Sequence, residues 1–458
     1  MSQKVTKGVQ MLLGDPKRAV IKLSLPMMVG MLVQSLYNLV DGIWVAGLGS
    51  NALAAIGLFF PIFMGLIALA SGLGVGASSA ISRRIGAQNK KGADNVADHA
   101  VITGLFLGVL LSVFLFPVIE TIFVDMGATQ EIVELAVKYS RILILGASVI
   151  VFNNVANGIL RGEGDTKRSM YAMVLGSGLN IILDPIFIYT LGLGVIGAAY
   201  ATLLSMIITS GFLIFWLFFK RDTYVDITLK DFDPNREIFI DILRVGLPSA
   251  LAQLAMSFAM FFINTIIIRV GSSDAVAIFT SAWRIIMLGT VPLLGMATAT
   301  TVIVGASYGA RDIEKLEVAY LYAIKLGFLV ELLVTLFIFI FASPITYLFT
   351  YSEGAEQLAN GLVKALRILV LFLPFVPFGM LTGAMFRGIG QGEKSLIVTT
   401  LRTIIMQVGF AYIFAFYSDM GLSGVWIGVA LGNMIAALVS FTWGKVTIRG
   451  VKEKFSTF

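Results

Sequence analysis

The chain has 458 residues, of which 58% are hydrophobic and only 13% charged, with a formal net charge of +6. Soluble domains carry about 25% charged residues, so this composition and a mean hydropathy of +0.92 exclude a soluble fold. The absence of cysteine excludes disulfides and thiolate metal sites, and the small positive charge points to basic loops beside a membrane rather than to nucleic acid.

Met1 to Arg18 is polar and basic and carries no signal-peptide pattern. Twelve apolar runs follow, each long enough to cross a bilayer. They are predicted near 19–48, 52–82, 93–119, 131–158, 167–190, 194–219, 237–268, 274–307, 314–342, 356–386, 394–416 and 421–446. The runs are continuous rather than alternating, which favours helices over a β-barrel. The fold class expected is an all-α polytopic membrane protein with twelve transmembrane helices.

The loops alternate in charge. One set holds Arg83, Arg84, Lys90 and Lys91, then Arg161, Lys167 and Arg168, then Lys220, Arg221, Lys230 and Arg236, then Arg311 and Lys315, then Arg387 and Lys394. Both chain ends belong to this set. The opposite loops hold Glu120, Asp125, Glu353, Glu356 and Asp419, with Arg269 as their one basic residue. The positive-inside rule puts both termini in the cytoplasm, which an even number of spans requires. A multi-pass protein of the plasma membrane is expected.

The chain repeats itself. Lys138-Tyr-Ser-Arg-Ile-Leu matches Lys364-Ala-Leu-Arg-Ile-Leu at an offset of 364 − 138 = 226. Arg161-Gly162-x-Gly164 recurs as Arg387-Gly388-x-Gly390 at the same offset, and Leu25-Pro26 recurs as Leu247-Pro248 at 222. Two lobes of six helices are expected at 1–219 and 237–458, joined by a cytoplasmic connector at 220–236. Parallel repeats imply a pseudo-two-fold axis along the membrane normal and a cavity between the halves.

Asp41 lies inside the first apolar run, with Tyr37 and Gln34 on its helical face. Asp184 lies in the fifth, on one stripe with Asn180 and Ser177. Span six adds Thr202, Ser205 and Thr209, and span four adds Asn153, Asn154 and Asn157. A carboxylate in hydrocarbon costs at least about 2.5–3.5 kcal/mol. No lysine or arginine stands mid-membrane in this half to neutralise it, so the group takes a proton, binds a cation or faces water. At the repeat offsets Asp41 corresponds to Ile263 and Asp184 to Phe410, so the scaffold itself does not demand the carboxylates. Structural readings stand beside these. Asp184 before Pro185 is also a helix N-cap pattern, and Pro26 is either a packed kink or a hinge. Lys325, Glu331 and Arg402 read as a set of mutually paired charges, Arg284 as a structural arginine, and His99 as interfacial. Gly72, Gly74 and Gly76 read as close helix packing.

Leu25-Pro26-x(10)-Tyr37-Asn38-x-x-Asp41, the following Gly47-Leu-Gly49, and Arg161-Gly-Glu-Gly-Asp165 resemble the multidrug and toxic compound extrusion (MATE) family, most nearly an archaeal exporter of the Pyrococcus type. The resemblance covers essentially the whole chain. It implies two pseudo-symmetric six-helix bundles forming a V around a central cavity. It further implies a secondary antiporter that exports amphiphilic, often cationic, drugs against inward H+ or Na+. The family's cation site would fall on Asp41, Asn180, Asp184 and Thr202, whose oxygens suit Na+ as well as a proton. Gln34, Tyr37, Asn153, Asn154, Asn157, Ser177 and Ser205 are the candidates for the cavity and substrate. The expected partners are small amphiphilic drugs and membrane lipids, with no nucleic acid, no cofactor and a monomeric chain. The span-seven and span-ten carboxylates of another branch are missing, which points to the branch with coupling carboxylates in the first half.

Three other classes fare worse. A membrane enzyme lacks a His/carboxylate cluster, a channel lacks a readable filter, and a receptor leaves the carboxylates unexplained. A flippase for lipid-linked oligosaccharides or lipids is the alternative within transporters, and a basic cavity would favour it.

Overall fold

The apolar runs fold as helices because in hydrocarbon the backbone must satisfy its own hydrogen bonds. The computed structural model describes residues 5–220, 222–229, 232–350, 358–418 and 420–456. Arg221, Lys230, Glu353, Glu356 and Asp419, used above for loop charge, lie outside them, as does Lys4 of the basic amino terminus. A short helix α1 (Lys7–Leu13) precedes the long helices α2 (Pro16–Ala46), α3 (Ser50–Gly86) and α4 (Lys90–Asp125). Then come α5 (Gln130–Leu145), α6 (Ala147–Gly162), α7 (Thr166–Pro185) and α8 (Gly194–Ile214). The second half runs α9 (Arg236–Val270), α10 (Ser273–Gly289), α11 (Val291–Gly309), α12 (Ile313–Ile340), α13 (Ala342–Thr350), α14 (Ala359–Leu369), α15 (Val376–Gly388), α16 (Gly392–Thr400), α17 (Gly409–Phe416) and α18 (Gly421–Ser456). Among the described residues eleven helices are long and apolar enough to span a membrane, or twelve if α5 and α6 form one span bent by 48°. The chain is a multi-pass helical membrane protein.

Breaks fall where the sequence cannot continue a helix. Gly146 separates α5 from α6, and a Cβ there would collide with Leu203. The run expected as one span at 274–307 is divided at Thr290 into α10 and α11. Pro292 sits at the start of α11, where its missing N–H costs nothing, whereas inside a continuous helix it would break a bond. Pro185 likewise ends α7, which continues as a wide π turn over Ile186–Thr190.

The contacts divide the chain into two compact units. Unit 1 is Met1–Gly14 with Val29–Ala250, and unit 2 is Asp15–Met28 with Leu251–Phe458. The division therefore departs from the chain boundaries 1–219 and 237–458. The first part of α2 belongs to unit 2, and the first part of α9 belongs to unit 1. The connector also lies in unit 1. There the Glu163 carboxylate accepts the N–H groups of Tyr224 at 2.8 Å and Val225 at 3.1 Å, and Arg168 pairs with Asp222 at 2.6 Å. His99 is buried rather than interfacial. Its Nδ1 contacts the Asn95 carbonyl at 2.8 Å, and its Nε2 accepts the Asn235 N–H at 2.9 Å.

Glycines allow a close helix crossing in unit 1. A Cβ on Gly74 of α3 would stand 2.5 Å from the Asn154 carbonyl oxygen, and one on Gly158 of α6 would strike the Gly74 backbone. The glycine-rich stretch of α3 is thus a packing face, as its apolar setting implies.

Candidate cation site and polar cavity

α2, α6, α7 and α8 of unit 1 bring one polar stripe each to a common cavity of about 170 Å³. Gln34 and Tyr37 come from α2, and Asn153, Asn154 and Asn157 from α6. Ser177 and Asn180 come from α7, and Thr202 and Ser205 from α8. All nine are candidates named from helical stripes or from the family resemblance. A water occupies about 30 Å³ of liquid and a drug-sized pocket about 300–1,000 Å³. This volume has room for a cation with several waters.

The two carboxylates meet beside this cavity. Asp184 is fully buried, and the carboxyl groups of Asp41 and Asp184 lie close enough to interact directly. Two carboxylates at this separation need a shared proton or a cation between them. Asn180, one turn before Asp184, organises the pair. With its amide oriented to satisfy both ends, Nδ2 donates to Asp184 Oδ2 at 2.7 Å, and Oδ1 accepts from the Thr202 N–H at 3.2 Å and from its hydroxyl at 3.1 Å. Tyr37 lines the same cavity as Thr202. Asp41, Asn180, Asp184 and Thr202 are thus one connected set. Asp184 lies within α7 rather than at a helix start, so it is not an N-cap. Pro26 is not part of this set: it stands inside α2 in the segment that belongs to unit 2. Among the described residues no three His, Cys, Asp or Glu side chains gather as a metal site.

Two neighbours escape a reading by spacing. Arg161, placed by its charge among the loop residues, lines the cavity from the last turn of α6. Its repeat partner Arg387 donates to Ser395 at 3.0 Å. In the first half Ser169 instead donates to Asn157 at 2.9 Å, and Asn157 stands where the second half has Gly383. The comparison with Gly383 was the available signal. Tyr139 of α5 lies close enough to feel the charge of both Asp41 and Asp184, and nothing in its local sequence marks it.

The charges of the second half do not pair as expected. Arg402 reaches Asn433 Oδ1 at 3.3 Å. Glu331 is fully buried, with no hydrogen-bond partner for either carboxyl oxygen among the described residues. Arg284 is exposed on α10. Helical spacing puts such groups on a face but does not say what the face meets.

The sequence matches the MatE family model over residues 26–186 and 248–413. It is 25% identical to the multidrug export protein MepA of Staphylococcus aureus over 92% of each chain. It is 65% identical to a MOP superfamily transporter from Pyrococcus furiosus, with a TM-score of 0.95 over 98% of this chain and 99% of that one. That structure is described as having a binding pocket of reverse polarity that suggests a different function. An outward-facing multidrug resistance MATE transporter is also 65% identical, with a TM-score of 0.96 over 98% of this chain and all of that one. With more than half its length matched by the family model and its whole architecture shared with such structures, this chain belongs to the MatE family of membrane transporters.

Proposed function

We propose that this chain is a secondary active multidrug exporter, antiporting amphiphilic and often cationic organic compounds against inward H+ or Na+ by alternating access. One observation carries the reading: the Asp41–Asp184 pair, held by Asn180 and Thr202 beside a polar cavity. A carboxyl pair in a membrane lobe can take up a proton or a small cation and release it again. The cavity has room for the ion and a few waters. The name of the MepA relative and the outward-facing state of the second solved relative support export by alternating access. A flippase for pyrophosphate-linked lipids calls for a basic cavity, and here one arginine, Arg161, lines the cavity beside the paired carboxyls.

Asp41, Asn180, Asp184 and Thr202 carry the coupling ion in this account. Gln34, Tyr37, Asn153, Asn154, Asn157, Ser177 and Ser205 shape the hydrated cavity, and Pro26 is the hinge. The chain works as a monomer in the plasma membrane with both termini in the cytoplasm. Arg161 in the cavity wall favours a second reading, in which the substrate is anionic. Proteoliposomes loaded with a fluorescent organic cation or an organic anion, under separately imposed H+ and Na+ gradients, test the proposal. Concentration of the cation driven by one gradient supports it. Concentration of the anion alone assigns the second reading, and no gradient-driven movement of either overturns both.

A further inference from the structure

Unit 1 carries a second recess, of about 390 Å³, between α4, α6 and α8. Val101 and Leu105 line it from α4, Phe152 from α6, and Ile214 and Phe219 from the end of α8 and the turn that follows. Phe152 is 7% exposed and Phe219 is 72% exposed, so the recess opens from a covered floor onto the outer surface of the lobe. In a membrane-spanning segment that surface meets lipid. The volume lies within the range of drug-sized sites, about 300–1,000 Å³.

The recess stands back to back with the polar cavity. Phe152 lines the recess and Asn153 the cavity, and Ser210 and Thr209 divide in the same way. The seam between them is closed by Asn153 Nδ2 donating to the Met206 carbonyl at 3.0 Å. That carbonyl lies four residues before Ser210 and is the acceptor a helical serine ordinarily uses. Ser210 Oγ accordingly has no hydrogen-bond partner among the described residues, although Ser210 is only 8% exposed. An apolar, aromatic recess with one unserved hydroxyl is the usual make-up of a small-molecule site. The connector closes one end: Leu229 lines the recess while held at φ +51°, a conformation that a leucine keeps only where its surroundings impose it.

We propose that this recess is a membrane-side binding site for the amphiphilic cation itself. It takes the apolar body from the lipid phase, sets it against Phe152 and Phe219, and offers the Ser210 hydroxyl to an acceptor on the molecule. The proposal rests on the export reading above. The aromatic faces suit a cation, and the site is separate from the carboxyl pair, so the ion and the organic molecule occupy different pockets of one lobe.

The natural absence of cysteine allows a direct test. Ser210→Cys and, as a lipid-facing control, Phe106→Cys are reacted with a membrane-permeant maleimide in proteoliposomes with and without a saturating rhodamine-type cation. The cation should slow labelling at 210 at least about fivefold and leave 106 unchanged. Ile214→Trp and Leu105→Trp, which narrow the recess from its exposed rim, should each raise the Kd of that cation about tenfold, equivalent to about 1.4 kcal/mol. If the cation is exported by wild-type protein but neither protects position 210 nor binds more weakly to both rim variants, the recess is not its site and the export reading stands. Protection at 210 that follows lipid composition and ignores the cation assigns the recess to a lipid chain and overturns the proposal. If wild-type protein neither binds nor moves the cation, the export reading fails as well.

Discussion

Asp184 on α7 receives a hydrogen bond from Asn180, one turn earlier on the same helix, at 2.7 Å. The same amide accepts two bonds from Thr202 on α8. A single side chain therefore links the buried carboxyl to the neighbouring helix.

Thr202→Val keeps the shape of the side chain and removes one of the bonds that orient Asn180. A hydrogen bond between neutral groups contributes about 0.5–1.5 kcal/mol. The half-saturating concentration of the coupling cation should rise about threefold to tenfold, while thermal unfolding stays close to wild type. Cation-dependent transport rates measure the first, and a melting curve the second.

The α3–α6 crossing leaves no room for a side chain. A Cβ on Gly158 meets the Gly74 backbone, and overpacking of this kind costs about 1–3 kcal/mol. Gly158→Ala should lower the Tm and, by displacing the adjacent Asn154 and Asn157, weaken transport as well. Gly178→Ala, on α7, meets nothing within 4 Å and should leave the Tm unchanged.

Burial pushes the Glu163 carboxyl up to about 8, against the lowering effect of the Val225 and Tyr224 N–H groups. A raised carboxylate pKa means that the docked form holds its proton where the released, solvated form loses it near the ordinary value of about 4.3. Docking of the connector is therefore strongest below that value, weakens as pH rises towards about 8, and is level above it. Hydrogen exchange at Tyr224 and Val225 should become easier between pH 5 and 8, after correction for intrinsic base catalysis. Glu163→Gln should abolish the dependence.

Pro26 stands two residues before the point, Met28 to Val29, where α2 passes from unit 2 to unit 1. Pro248 bears the same relation to Ala250 and Leu251 in α9. A missing backbone bond at such a place invites bending. Pro26→Ala should fold normally and slow exchange. Unchanged transport with an unchanged pH profile would remove the hinge from the account.

Helical periodicity made much of this legible. Long apolar runs marked the spans, and helical stripes together with the family resemblance placed nine polar side chains that line one cavity. The repeat exposed Asp41 and Asp184 as departures from an apolar scaffold. What stayed hidden depends on contacts between distant segments. The exchange of the first parts of α2 and α9 between units has no local signature, because both stretches are apolar helix either way. His99 looked interfacial because Asn235, which binds it, is 136 residues away. Arg161 looked like a loop charge because its helix ends at the membrane edge while its side chain turns inward.

The central claim is that Asp41 and Asp184 cycle the coupling ion. A gradient of 100 mV supplies about 2.3 kcal/mol per charge, and only to a group that binds and releases that charge on opposite sides. Asn keeps the shape and hydrogen bonding of Asp but cannot cycle a proton, and it removes one charge from a cation site. The direct measurement is accumulation of a fluorescent organic cation against its own gradient by Asp41→Asn and Asp184→Asn proteoliposomes. Each variant should stay folded and bind the cation, yet fail to concentrate it under any H+ or Na+ gradient. Accumulation equal to wild type in either variant, with the same pH and Na+ dependence, would contradict the claim for that residue.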